Sequence, residues 1–145
     1  MKQIMKLEIE SIPSNESFAR VVVAAFLTRL NPTMEEIADI KTAVSEAVTN
    51  AIIHGYENEI HKIWIGAEVE GETITVSVED FGKGIPDIQK ALEPMYTTRR
   101  DLERSGMGFV FMEAFMDTVK VESEVGKGTK VTMTKRVGKR YGTDL

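Results

Sequence analysis

One run of residues constrains the fold more than any other. Ile37, Ile40, Val44, Ala47, Val48 and Ala51 recur at helical spacing, which predicts a long helix with a single apolar stripe. Thr33-Met34-Glu35-Glu36 just before it reads as a capping box, with Thr33 as the cap and Glu36 reaching back. Gly55, after His54, is expected to end the helix in a left-handed conformation. A second helical pattern precedes it: Phe18, Val21, Val22, Ala25, Phe26 and Leu30, with Ser14 as the expected N-cap and Asn31-Pro32 as the break.

The apolar stripes of such helices need a layer to cover, and the remaining segments supply strands. Met5 to Glu10 alternates apolar and polar residues. Lys62 to Glu70 and Thr73 to Glu79 read as a hairpin turning at Gly71. Val119 to Glu124 and Thr129 to Lys135 read as a closing pair around Gly126-Lys127-Gly128. Between them, Asp80 to Gly108 is rich in glycine and charge and too long for a plain connection, which marks a binding loop or lid. A short helix is expected near Ile88 to Leu92 and another from Phe109 to Asp117. The order β-α-α-β-β-lid-α-β-β predicts an α/β sandwich, an α+β arrangement with a mixed, mostly antiparallel sheet covered by helices on one face.

Composition limits what this fold can do. The chain has 145 residues, no cysteine, two histidines and a net charge of −5. The length suits one domain, expected over residues 1–136, with 137–145 as a flexible tail. Without cysteine there is neither a disulfide nor a thiolate metal site. His54 and His61 are too isolated for a metal centre and read as structural or solvated. The acidic surface repels phosphate backbones and argues against nucleic acid as a direct partner. The N-terminus does not read as a signal peptide, and the longest apolar run, Val21 to Leu27, is too short for a membrane span. A cytoplasmic location without membrane attachment is expected.

Four short motifs carry chemistry. Glu46 and Asn50 lie four apart, so they share one helix face, away from the apolar stripe. A carboxylate beside a carboxamide can hold a hydrated Mg²⁺ and orient a nucleophile; such pairs also occur on ordinary polar faces. Asp80-Phe81-Gly82-Lys83-Gly84 ends a strand. Asp80 can accept from an exocyclic amine, while Gly82 and Gly84 let the backbone approach a planar ring. Ser105-Gly106-Met107-Gly108 is expected to open a helix whose free amides would hold an anion, with Arg104 within reach of a phosphate. Gly126-Lys127-Gly128-Thr129 fits a hairpin turn.

Each motif alone is weak, but their order is specific. A helix with E-x-x-x-N, a strand ending in D-x-G-x-G, a lid, G-x-G at a helix start and a late G-T together resemble the boxes of the GHKL ATPase and kinase superfamily, with its Bergerat-type ATP-binding fold. Within it, NESFARVVVAAF, PTMEEIADIKTAVSEAVTNAIIHGY, GIPDI, DLERSGMGF and MDTVKVESEVGKGT resemble the anti-sigma F family of sporulation serine kinases over residues 1 to 136. Residues 57–62, read as a hairpin, are shorter than that family suggests.

The resemblance implies roles that spacing does not show. Asn50 would coordinate Mg²⁺ and Glu46 would be the general base. Asp80 would bind the adenine amine, with Gly84 and Thr129 completing the pocket through water. Arg104 and the amides around Gly106 and Gly108 would hold the terminal phosphates. Glu16 and Arg20 would lie on the partner-binding face. The implied chemistry is phosphoryl transfer from ATP to a serine of an anti-anti-sigma protein. The ATP form would hold sigma factor F, the ADP form the unphosphorylated anti-anti-sigma protein, and the lid from Glu93 to Ser105 would sense the difference in a homodimer.

Other readings share parts of this pattern. The sister kinase of the general-stress sigma factor has the same nucleotide motifs and differs in its partner. A histidine-kinase catalytic domain is expected to accompany a dimerising helix with a phosphoacceptor histidine, which these residues do not resemble. A module that only binds nucleotide would not need Glu46. A gyrase-type ATPase needs a lysine from a following domain.

Overall fold

The computed structural model describes residues 1–92 and 100–138; the side chains of Gln89 and residues 100–107 lie outside that description. The elements run β1 (Gln3–Glu10), α1 (Ser14–Leu27), α2 (Met34–Asn50), β2 (Lys62–Glu70), β3 (Thr73–Asp80), α3 (Ile88–Leu92), α4 (Arg100–Phe115), β4 (Thr118–Glu124) and β5 (Gly128–Arg136). A 3₁₀ turn (Thr28–Leu30) follows α1, and a π-helical turn (Ala51–Gly55) follows α2.

The strands form one five-stranded sheet in the order β1-β2-β3-β5-β4, with every pairing antiparallel. The sheet is thus antiparallel throughout, in line with the mostly antiparallel sheet the sequence suggested. Period-two alternation decides its faces. On β2, Ile63, Ile65, Ala67 and Val69 are buried, while Lys62, Trp64, Glu68 and Glu70 point to solvent. On β3, Ile74, Val76 and Val78 are buried in the same phase, and Asp80 ends the row. The stripe of α2 covers this face: Ile40, Ala43, Val44, Ala47 and Val48 are almost fully buried. Burying each larger aliphatic side chain contributes about 1.5–3 kcal/mol. Helix α2 packs against α1 and against α4, so it is flanked on both sides.

The capping box forms as expected. The Thr33 hydroxyl accepts from Glu36 N–H at 3.1 Å, and the Glu36 carboxylate accepts from Thr33 N–H at 2.8 Å. Glu36 also accepts from Gly138 N–H at 3.0 Å, and Val137 is fully buried. The chain just after β5 is thus fastened to the start of α2. Ser14 is not a cap: α1 begins at Ser14 after Pro13, with no side-chain cap bond. Asn31, at φ +53°, makes the left-handed break after α1.

Gly55 is not left-handed. Glu57 and Asn58, at φ +52° and +68°, turn the chain instead. Residues 57–62 are no hairpin. They connect the π-helical turn to β2, held where the Ser11 hydroxyl donates to Glu59 O (2.9 Å) and accepts from His61 N–H (2.8 Å).

Glu36 links cap, tail and charge. Burial pushes its carboxyl up, but the N–H donors of Thr33 and Gly138, the Thr33 hydroxyl and the charge of Lys135 outweigh burial, and the net shift is below the ordinary 4.5. A depressed carboxylate contributes stability that is present above its unfolded value and lost as pH falls through its folded value. Glu36→Gln keeps the box geometry and removes the charge. In urea unfolding, the wild type is expected to exceed the variant at neutral pH, with the gap closing as pH drops below the ordinary 4.5.

Candidate active site

The inward row of β3 puts a carboxylate where an aliphatic side chain would continue the core. Asp80 is only 5% exposed. Its Oδ1 accepts from Gly82 N–H at 2.8 Å, and the backbone of Thr129, its register partner on β5, donates to it as well. Burial pushes this carboxyl up; the Gly82 and Thr129 amides pull it down, Glu79 pushes it up again, and the net shift is above the usual 3.8.

Close backbone approach surrounds that carboxylate. A Cβ on Gly55 would lie 2.8 Å from the Asp80 carboxylate, and one on Gly82 would lie 2.0 Å from the Gly55 carbonyl oxygen. That oxygen accepts from Lys83 N–H at 2.9 Å. The end of the π-helical turn and the loop after β3 therefore interlock. Gly84, at φ +79°, presses on Glu124, whose carbonyl oxygen would lie 2.2 Å from an added Cβ. Tyr56 closes the arrangement behind Asp80: its hydroxyl accepts from Phe81 N–H at 2.9 Å and donates to Lys62 O.

Next to Asp80 lies a cavity of about 300 Å³. Ala47, Ala51, Val78, Phe109 and Val131 give it apolar walls, while Asn50, His54, Asp80, Lys83 and Thr129 supply polar groups. Apolar walls with a few convergent polar atoms suit a planar heterocycle. His54 belongs to this site, which corrects its reading as an isolated structural residue. Burial lowers its pKa below the usual 6.5 and Lys83 adds to the effect, so a neutral imidazole faces the cavity at neutral pH.

Glu46 and Asn50 point toward α4. A Cβ on Gly108 would lie 3.0 Å from Asn50 Nδ2 and 3.3 Å from Glu46 Oε2, so this glycine leaves room over both side chains. Asn50 Nδ2 is buried with no hydrogen-bond partner among the described residues. Which carboxamide atom is oxygen is assigned from its surroundings, so this side chain can offer its oxygen to a cation. Among the described residues no group of three His, Asp or Glu could hold a metal alone. Mg²⁺ takes one or two protein oxygens and completes its shell with phosphates and water, a demand that the Asn50 carboxamide oxygen can meet.

The Ser105-to-Gly108 segment differs from expectation. Helix α4 begins at Arg100, so these residues sit inside it, and Arg100 to Ser105 are helical where a lid was expected. The run Arg100-Asp101-Leu102-Glu103-Arg104 consists largely of helix-favouring residues, which carries the helix back. The side chains of Arg104, Ser105 and Met107 lie outside the described residues, as do residues 93–99 entirely, so the lid and phosphate contacts expected of them are not described.

Glu16 and Arg20 form an ion pair on α1, with Arg20 Nε 3.7 Å from Glu16 Oε2. Glu16 also accepts from the Ser45 hydroxyl at 3.0 Å. Ser45 precedes Glu46, about 100° away around the helix, so different sides of α2 carry the two groups of candidate residues.

Sequence reasoning missed Gly55, Tyr56 and His54 as site residues. The consecutive His-Gly-Tyr after an E-x-x-x-N helix was the available signal. Because Gly82 has no room for a side chain, Gly82→Ala is expected to destabilise the fold by about 1–3 kcal/mol. The measurement is the urea midpoint, and an unchanged midpoint would contradict the interlock.

Residues 9–135 match the family model of the histidine kinase-like ATPase domain. The chain is 62% identical to an anti-sigma F factor of Thermoanaerobacter sp. (strain X514), covering 93% of this chain and 94% of that one. It is 60% identical to the anti-sigma F factor of Clostridium acetobutylicum, covering 91% and 92%. Among solved structures, the catalytic domain of the histidine kinase ThkA superposes with a TM-score of 0.56 at 17% identity, covering 93% of this chain and 96% of that one. The Erythrobacter litoralis EL346 blue-light activated histidine kinase gives 0.58 at 18%, covering 83% and 41%. These two structures share the fold. By the family model over residues 9–135 and by these identities, the chain belongs to the histidine kinase-like ATPase domain family and, within it, to the anti-sigma F factors.

Proposed function

We propose that this protein is an ATP-dependent serine protein kinase that also binds and inhibits sigma factor F, exchanging partners with its nucleotide state. The observation that carries the nucleotide part is the buried Asp80 carboxylate in an apolar-walled cavity. An ionised acceptor in such a place favours a ligand that brings an amine, because any other base leaves it unpaired. The kinship with anti-sigma F factors supports the sigma-factor partner. Cytoplasmic residence, a homodimer and an anti-anti-sigma substrate belong to the same reading.

Asp80 receives the adenine amine, with Gly84 and Thr129 beside it. Asn50 would hold Mg²⁺ through its carboxamide oxygen, and the ion would supply neutralisation of phosphate charge. Glu46 accepts the proton of the incoming serine hydroxyl as that oxygen bonds to the γ-phosphorus and the bond to the departing ADP oxygen breaks. Arg104 completes the phosphate end. Catalysis of this kind is mostly positioning and charge stabilisation, so few groups suffice. The sigma factor binds the ATP form, and the unphosphorylated anti-anti-sigma protein binds the ADP form, through the surface carrying Glu16 and Arg20.

Two measurements test these roles. Glu46→Gln is expected to reduce phosphate transfer to the anti-anti-sigma protein by at least about 100-fold while ATP affinity stays near the wild-type value; retained transfer would remove Glu46 as the base. Asp80→Asn is expected to weaken ADP binding about 10- to 100-fold, the range for a hydrogen bond to a charged group. The amine bonds the ionised carboxylate, so wild-type affinity falls as pH drops through the raised pKa of Asp80. Calorimetric titration should show that dependence flattened in Asp80→Asn.

A further inference from the structure

The polar end of the cavity is a row across three strands. Ser123 on β4 stands opposite Thr129 on β5, and Thr129 stands opposite Asp80 on β3. Ser123 lies at the outer end of this row. Its hydroxyl makes three contacts. It accepts from Ile85 N–H at 2.8 Å, donates to Gly128 O at 3.0 Å, and lies 2.8 Å from the Thr129 hydroxyl.

Proton counting fixes the direction of the third contact. A serine hydroxyl has one proton and two acceptor lone pairs. The Ile85 amide can only donate, and the Gly128 carbonyl can only accept. Satisfying all three contacts sends the Ser123 proton to Gly128 and makes Thr129 the donor to Ser123. The single Thr129 proton is then engaged inside the protein. Thr129 lines the cavity, so what it turns toward a ligand is a lone pair. Ionised Asp80, one strand further on, also offers only acceptors.

We propose that Ser123 is a positioning residue for base selectivity: by holding the Thr129 proton, it keeps the polar end of the cavity acceptor-only. That end then favours a purine with an exocyclic amine and disfavours one with a carbonyl in its place. A water bonded to both Asp80 and Thr129 gives each a proton and likewise turns a lone pair to the base. Without the Ser123 hydroxyl, Thr129 rotates freely and can donate to a carbonyl. The inference rests on the reading of the cavity as an adenine-nucleotide site.

The test is calorimetric titration of the full chain with Mg-ADP and with Mg-IDP, which exchanges the amine for a carbonyl and the N1 acceptor for an N1–H donor. Mg-purine riboside diphosphate, which loses the amine and keeps the N1 acceptor, is titrated as well; a wild type that binds it as tightly as Mg-ADP would overturn the proposal. The wild type is expected to prefer ADP. Ser123→Ala should lower the ADP-to-IDP affinity ratio about fivefold, the equivalent of one net hydrogen bond, and Ser123→Thr, which restores a hydroxyl, should recover most of it. Thr129→Val should lower the ratio similarly, and adding Ser123→Ala to it should change the ratio no further. Proportional weakening of both ligands in Ser123→Ala, with the ratio unchanged, would mean a merely structural role and overturn the proposal. An unchanged ratio in Thr129→Val would overturn it even if Ser123→Ala failed to fold. A wild type that binds both nucleotides equally would overturn this inference alone, whereas one that binds neither would overturn the kinase reading with it.

Discussion

The burial of one carboxylate organises this molecule. Asp80 occupies the last inward position of a strand whose other inward residues are Ile74, Val76 and Val78. An unpaired buried charge is among the costliest features a fold can carry. The surrounding architecture supplies what offsets it: the amides of Gly82 and Thr129 point at the carboxylate, and Gly55 gives up its side chain so that the π-helical turn can lie against it. The net upward shift of its pKa means these donors do not fully offset burial together with the nearby charge of Glu79. Part of the solvation that Asp80 loses on folding is left for a ligand to replace.

Helix α2 relates this site to the rest of the protein. Its apolar stripe lies on the sheet and fixes its rotation. That rotation leaves Glu46 and Asn50 facing Gly108 of α4, and Ser45 bonded to Glu16 of α1. A helix cannot turn one side without turning the other, since every side chain shares one rigid backbone ladder. Helix α1, which carries Glu16 and Arg20, and the α4 wall over Glu46 are thus mechanically adjacent to the same element. A change in how α4 sits over Asn50 has a short path to Ser45 and from there to Glu16.

Much of this was legible in the sequence because it rests on periodicity. The α2 stripe, the Thr33–Glu36 box and the strand alternation are each set by local spacing, and the fold keeps them. The alternation even shows that Asp80 faces inward, since it falls in phase with Val78. What stayed hidden depends on contacts between distant segments. Gly55 read as a helix stop, because a glycine after a helix usually is one, yet its φ is not positive and its real constraint is the Asp80 carboxylate. His54 appeared isolated because no neighbouring histidine or cysteine marked it, while the cavity it lines is assembled from α2, β3, β5 and the loops. The helical start of α4 was masked by Gly106 and Gly108, which argued for a break that the helix-favouring residues before them overrode.

The π-helical turn explains why a regular helix end would not serve. In an α-helix each amide reaches back four residues, but here Tyr56 N–H bonds Ala51 O at 2.9 Å, five residues back. The wider turn inserts one residue without ending the helix, and such turns concentrate at functional sites. It leaves the Gly55 carbonyl free to accept from Lys83 N–H and brings Tyr56 round to hold Phe81 N–H. Both bonds grip the residues that flank Asp80 on its C-terminal side. The loop after β3 is therefore held by the end of α2 as well as by the sheet, and Asp80 is fixed from both directions before any ligand arrives. A rigid acceptor discriminates between bases better than a mobile one, because it cannot move away from the wrong group. On the proposed adenine-nucleotide reading, the added residue in the helix contributes to recognition even though its own side chain never needs to touch the base.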